Sequence, residues 1–232
     1  MESSRIIGKV VVSEVTKLFG AKRALCNVSL DVSPGEVVAL IGKNGAGKST
    51  LLSILSTMMK PTFGTVQING APATAESRAH IGYLSHKPFV YPELSCEENL
   101  KLFASLYNVG DDAVQKMKTQ FRLDEFFSNR PVGVLSRGQL QRAALARTLL
   151  AAPDVLLLDE PASGLDRGAI GLIEQLVAEH RDKAGITFIV SHDPALVAEV
   201  STRVVLLQMG EVAHETGRCS SDDILTMLVE GV

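Results

Sequence analysis

Short apolar runs separated by turn residues fill the first part of the chain. Val10-Val11-Val12, then Leu25 to Asp31, lead through Ser33-Pro34-Gly35-Glu36 into Val37-Val38-Ala39-Leu40-Ile41. This grammar predicts a small antiparallel sheet, continued by Thr65-Val66-Gln67-Ile68 and the turn pair Asn69-Gly70. Ala71 to Ala79 reads as a polar connection. From about Leu94 to Ala152 helical spacing takes over, opened by Ser95-Cys96-Glu97-Glu98, an S-x-x-E capping box, ahead of Leu100, Phe103, Ala104 and Tyr107. Buried strands separated by helices then return: Val155 to Leu158, a helix from about Asp166 to Arg181, Ile186 to Val190, a short helix from Pro194, and Val204 to Leu207. Such alternation predicts a parallel sheet covered on both faces. A closing helix after Ser220 carries Asp222 and Asp223 in its first turn, with Ile224, Leu225 and Leu228 behind them.

Composition narrows the class. The chain has 232 residues, 46% of them apolar, enough for a sizeable core without staples. Its longest apolar runs fall far short of the ~20 residues that cross a bilayer, and Met1-Glu2-Ser3-Ser4-Arg5 leads into no secretory segment, so the cytoplasm is the expected compartment. A net charge of −3 provides no broad basic surface, which argues against nucleic acid as the partner. Cys26, Cys96 and Cys219 are odd in number and widely spaced, and read as ordinary thiols.

Candidate chemistry begins at Gly42-Lys43-Asn44-Gly45-Ala46-Gly47-Lys48-Ser49, which fits G-x-x-x-x-G-K-[ST] between the run ending at Ile41 and Leu51-Leu52-Ser53-Ile54-Leu55. That is strand, loop, helix. Glycines let the backbone from Gly42 through Asn44, Gly45, Ala46 and Gly47 curl so that N–H groups face one phosphate chain, with the helix start at Lys48, Ser49 and Thr50 adding partial positive charge. Lys48 then pairs with the β/γ-phosphates and the Ser49 hydroxyl ligates Mg²⁺. A ligand-free glycine turn is the plain alternative. Downstream, Val155 to Leu158 ends in Asp159-Glu160 before Pro161. After a phosphate loop, this is the expected Mg²⁺-side strand: Asp159 serves the metal and Glu160 polarises the attacking water. Side chains alternate along a strand, so the two acids are not expected to share a task. A core strand that merely stops at a polar end would look similar. Ser136-x-x-Gln139 is a second capping box, and a capped helix start can also bind phosphate through free N–H groups.

Leu135-Ser136-Arg137-Gly138-Gln139, followed by Gln141-Arg142, resembles the LSGGQ signature of ABC-type ATPases, and the likeness runs nearly end to end. It implies an α/β fold: a P-loop NTPase core with a mostly parallel sheet, an N-terminal antiparallel β subdomain and an inserted helical subdomain. One domain over 1–232 is implied, with core about 1–85 and 153–232 and helical insert about 86–152. Phe19 takes the place of the aromatic residue that stacks on adenine, Ser163-Gly164-Leu165-Asp166 that of the D-loop, and His192 that of the switch histidine at the γ-phosphate. Ser136, Gly138 and Gln139 would close the nucleotide of a second, head-to-tail ATPase subunit, with ATP and Mg²⁺ between the two. The resemblance also implies an integral membrane permease, docked near His86, Phe89, Tyr91, Pro92 and Leu94, and a peripheral place on the inner face of the cell membrane. Phe89 and Tyr91 read equally well as plain packing.

Two positions depart from the family pattern. Arg137 stands where the signature has its first glycine, either as a tolerated change in a first helical turn or as an added cation near the partner's nucleotide. His86 stands where the Q-loop has glutamine; imidazole is shorter and changes charge near neutral pH, so its contact with Mg²⁺ stays open. Histidine there resembles the haem-exporter ATPases of cytochrome c maturation, while the flanking residues also resemble ABC-2-type drug or lipid exporter ATPases. An ABC ATPase that transports nothing and regulates a membrane or division partner is the remaining alternative.

Overall fold

A computed structural model describes residues 8–123, 130–165 and 167–231. Asp166 of the expected D-loop lies outside the described residues. Two sheets form the framework. The first is antiparallel, in the order β2-β1-β4-β5, from β1 (Val10–Phe19), β2 (Lys22–Val32), β4 (Phe63–Ile68) and β5 (Ala71–Pro72). The second, in the order β10-β9-β3-β8-β7-β6, joins β3 (Val37–Ile41), β6 (Ile81–Leu84), β7 (Val155–Asp159), β8 (Ile186–Val190) and β9 (Arg203–Gln208) in parallel. Strand β10 (Glu211–Gly217) closes its edge antiparallel to β9.

The period-2 geometry of strands sorts the second sheet between two cores. Val37, Ala39, Ile41, Leu156, Leu158, Ile189, Val204 and Leu206 face a cluster shared with α2 (Cys96–Tyr107), α3 (Asp111–Gln120) and the helices Arg137–Leu149, Arg167–Asp182, Pro194–Val200 and Ser221–Glu230. Val38, Leu40, Val155, Leu157, Phe188, Val205 and Leu207 face the other way, against the antiparallel sheet and α1 (Lys48–Leu55). Burial on both faces explains why β3, β7 and β8 are unbroken apolar runs.

The antiparallel sheet is longer than its apolar runs suggest, because β1 carries register shifts after Val12 and Val15 that let polar residues continue the pairing. Ala71 to Ala79, expected as a connection, holds β5 and a 3₁₀ helix, Glu76–His80. Asn69 and Gly70 both adopt positive φ (55° and 76°), the turn that folds β5 straight back on β4. The capping boxes at Ser95 and Ser136 both form, and Ser220 adds a third. The helices are thus anchored at positions legible in the chain.

Asn99 holds the entry to α2 in a way no motif signals. Buried at 2% exposure, its Oδ1 accepts from the Tyr91 N–H at 2.7 Å, while its amide donates to the carbonyls of Tyr91 (3.0 Å), Leu94 (3.2 Å) and Ser95 (3.0 Å). Truncation takes the acceptor from the Tyr91 N–H, whereas the carbonyls keep other donors, Tyr91 O from Leu94 N (3.2 Å), Leu94 O from Val132 N (2.8 Å) and Ser95 O from Asn99 N (3.0 Å); one such orphaned group costs about 1–3 kcal/mol. Asn99→Ala should therefore lower unfolding free energy by about 1–3 kcal/mol in urea titration at unchanged slope. A shift below about 0.5 kcal/mol would show that water replaces the amide.

Candidate functional site

Four adjacent parallel strands, β3, β8, β7 and β6, deliver their C-terminal ends to one edge. In that order they feed the loop at Gly42, His192, Glu160, and Ser85-His86. Ligands of open α/β sheets bind at such an edge.

The loop after β3 depends on glycine at two points. Gly42 has φ 142° and Gly47 φ 109°. A Cβ on Gly42 would stand 2.2 Å from the Leu207 carbonyl oxygen, and one on Gly47 would stand 2.6 Å from that of Ala24. Gly45 also has positive φ (84°), but open space lies around it. The loop is pinned from behind, as the Gly210 N–H donates to Ala46 O (3.0 Å) and the Cys26 N–H to Gly210 O (2.8 Å). Gly47 caps α1 without a side chain and no acid stands in the first turn, so N–H groups at the helix start are left for an anion. Ser49 is exposed there, Thr50 half-buried and Asn44 exposed.

Lys48 folds back into this curl. Its ammonium donates to Gly42 O at 2.6 Å and Lys43 O at 3.2 Å. Burial lowers its pKa, while Glu160 and Asp159 raise it. One lysine is thereby held near two carboxylates brought from another strand.

Strand β7 ends at Asp159, which is buried, one residue earlier than Pro161 suggests. Glu160 takes a left-handed backbone, φ 55°, with its N–H donating to Val190 O at 2.9 Å. The two acids are separated by this turn of the chain as well as by strand alternation. Glu160 Oε1 is out of water, 3.4 Å from His192 Nε2, and among the described residues no hydrogen bond reaches that oxygen. Burial pushes the Glu160 carboxyl above the ordinary range; the His192 imidazole and backbone N–H oppose this, Asp159 adds to it and Lys48 opposes it. His192 is set between β8 and Asp193, whose carboxylate caps the helix Pro194–Val200 by accepting from Ala195 N at 3.0 Å and Leu196 N at 3.3 Å.

A cavity of about 200 Å³ adjoins these acids, lined among others by His86, Arg137, Gln141, Asp159, Glu160 and Ser163. His86 thus lies with the two carboxylates. The helix Arg137–Leu149 enters from the side, with the Ser136 N–H donating to Gln139 Oε1 (2.9 Å) and the Gln139 N–H to Ser136 Oγ (3.3 Å). Gly138 is half-buried and Ser136 exposed. No hydrogen bond among the described residues joins Ser136 or Gly138 to the loop at Lys48. Phe19 ends β1 at 48% exposure, its ring 5.2 Å from Lys17 Nζ. The Gln141 amide donates to Pro161 O at 3.0 Å, a contact with no local sequence signal.

A second cavity, of about 570 Å³, is lined by Met58, Arg78, Tyr83, Phe89, Tyr91 and Arg147 among others. Phe89 and Tyr91 do pack, against Tyr83 and Phe103 at 6.2 and 6.3 Å between centroids, yet stay 39% and 51% exposed. Pro92 and Leu94 hold the neighbouring loop, their carbonyls accepting from Gly133 N (2.9 Å) and Val132 N (2.8 Å). Among the described residues no helix is long and apolar enough to cross a membrane.

A model of the ABC transporter family matches residues 25–163. The cytochrome c biogenesis ATP-binding export protein CcmA of Rhodospirillum rubrum is 35% identical over 176 residues, covering 75% of each chain. The lipoprotein-releasing system ATP-binding protein LolD of Bacteroides thetaiotaomicron is 33% identical over 214 residues, 87% of this chain and 97% of that one. Among solved structures, an ATP-binding subunit of an ABC transporter superposes with TM-score 0.85 at 29% identity, over 95% of this chain and 99% of that one. A dimeric, post-hydrolysis ATP-binding cassette bound to ADP and Pi gives TM-score 0.82 at 29% identity, over 91% and 99%.

The two glycines separate conformation from space. Gly45→Ala should cost about 1–2 kcal/mol of unfolding free energy, the left-handed penalty alone. Gly42→Ala adds a backbone collision and should cost at least about twice as much. Equal urea midpoints for the two variants would contradict the close approach to Leu207.

Proposed function

The chain belongs to the ABC transporter family, and on that premise we propose that it is the ATP-hydrolysing motor of a haem exporter for cytochrome c biogenesis, working beneath a separate integral membrane permease. The observation that carries the motor reading is the meeting of Lys48, Asp159 and Glu160 at the strand ends. In it the triphosphate lies along the N–H groups from Gly42 to Ser49 and Thr50, with adenine on Phe19. Phosphate oxygens take the place of the two carbonyls that now accept from Lys48. Ser49 and Asp159 would hold Mg²⁺: both offer only hard oxygen donors, and a two-ligand site suits an ion that keeps most of its waters. The chemistry such an ion would supply, held by those two residues, is neutralisation of phosphate charge. Glu160 orients water and accepts its proton as the oxygen attacks the γ-phosphorus and the bond to the β-phosphate oxygen breaks, leaving ADP and phosphate. A carboxyl raised by burial is a better base than an exposed glutamate. His192, 3.4 Å from Glu160, then faces the γ-phosphate.

The capped start at Ser136, with Gly138 and Gln139, supplies a phosphate-facing helix end that would close the nucleotide of a second copy, head to tail. The dimeric state of a similar ATP-binding cassette supports a second copy. The apolar cavity with exposed Phe89 and Tyr91 suits a permease segment, which supports a peripheral position at the inner face of the membrane. Haem as cargo is supported by His86 in place of the Q-loop glutamine and by the likeness to the cytochrome c biogenesis protein.

Glu160→Gln keeps shape but removes the base. It should bind ATP, hydrolyse at least about 100-fold more slowly and elute as a dimer in Mg-ATP on light-scattering chromatography; a monomer there would contradict the mechanism. For the cargo, cells lacking the chain should lose haem-stained c-type cytochromes and regain them with the wild-type chain alone. Unaltered cytochromes would leave the motor standing and remove haem.

A further inference from the structure

Arg137 departs from the signature glycine, and its side chain is engaged within its own protomer. Its Nη2 donates to Ser163 Oγ at 2.8 Å. The stem lies across Gly164, where an added Cβ would meet Arg137 Cδ at 2.9 Å. One helical turn later and on the same face, Gln141 donates to Pro161 O at 3.0 Å and more weakly to Glu160 O at 3.5 Å. Between these two pins the turn is bonded to itself, Ser163 N to Glu160 O (3.1 Å) and Leu165 N to Ala162 O (3.1 Å). A pull on Ser163 therefore reaches the carbonyl of Glu160. That residue needs holding, since a non-glycine in the left-handed region costs about 1–2 kcal/mol.

We infer that Arg137 is a positioning residue for Glu160: together with Gln141 it clasps the turn at 160–165 to the first turn of the helix Arg137–Leu149, so that the helix start and the carboxylate move as one body. This rests on Glu160 acting in hydrolysis. A glycine at position 137 would leave only the Gln141 pin. The arginine is then not a passive replacement, since its guanidinium bonds Ser163 within its own protomer.

The test is steady-state ATP hydrolysis by the purified full chain as wild type, Arg137→Ala, Arg137→Lys, Ser163→Ala and the double alanine variant. Losing one such hydrogen bond corresponds to about 3–10-fold in rate. Arg137→Ala and Ser163→Ala should each lower kcat by that factor with KM for ATP within about twofold, and the double variant should be no slower than either. Arg137→Lys, whose ammonium still reaches Ser163, should recover part of the loss. An unchanged kcat in Arg137→Ala, losses that multiply in the double variant, or a raised KM at constant kcat would each overturn the clasp; the last is the signature of a cation on the nucleotide. Because Ser163→Ala removes only one oxygen from a half-buried turn, it keeps the test open should Arg137→Ala fold poorly. Hydrolysis that survives Glu160→Gln would instead overturn the motor reading itself, whereas hydrolysis that needs Glu160 but neither Arg137 nor Ser163 overturns the clasp alone.

Discussion

One ammonium group, that of Lys48, has to stay charged at 7% residue exposure, and the site is organised around that requirement. An isolated buried charge is expensive, so it must be matched by oxygens. Here they come from Gly42 and Lys43 in the loop, with the Asp159 and Glu160 carboxylates near. The loop reaches this shape only because Gly42 and Gly47 accept backbone angles and approaches that a side chain forbids. The carboxylates arrive because β3, β8 and β7 are parallel neighbours whose ends share one edge. A polyphosphate entering this edge meets a cation held by neutral carbonyls that can be exchanged for charged oxygens.

Fold legibility follows from periodicity. Parallel strands buried on both faces must be continuous apolar runs, and turn residues around them mark their ends, so β3, β7, β8 and β9 could be placed within a residue or so. Capping boxes worked for the same reason, since Ser95 and Ser136 satisfy N–H groups within three residues. Less was visible where structure depends on distant partners. The backbone of Glu160 is turned by Val190 across the sheet, and no local rule asks a glutamate to adopt positive φ. The polar stretch at 71–80 conceals a strand because β5 exists only by pairing with β4.

The site divides likewise. The loop 42–49 is written in consecutive residues, so its glycine-dependent curl is legible in them. His192 and Glu160 lie far apart in sequence, and only the strand order brings them to 3.4 Å. Arg137, which the sequence leaves open between tolerance and charge, proves to reach Ser163, a contact set by the approach of two loops with no shared periodicity. Asn99 is likewise silent in sequence, because an asparagine inside a helix reads as an indifferent polar residue until its four backbone partners are known.

Two helix starts, at Gly47 and at Ser136, present N–H groups suited to an anion, and among the described residues no hydrogen bond joins them. In the proposed head-to-tail dimer a second copy supplies the other half. Disulfide trapping between cysteines placed at Asn44 and Ser136, both exposed, in a chain freed of Cys26, Cys96 and Cys219, tests it most directly. Covalent dimers that form in ATP and not in ADP are the expected result; bonds that form only within one chain, or dimers indifferent to nucleotide, would contradict the account.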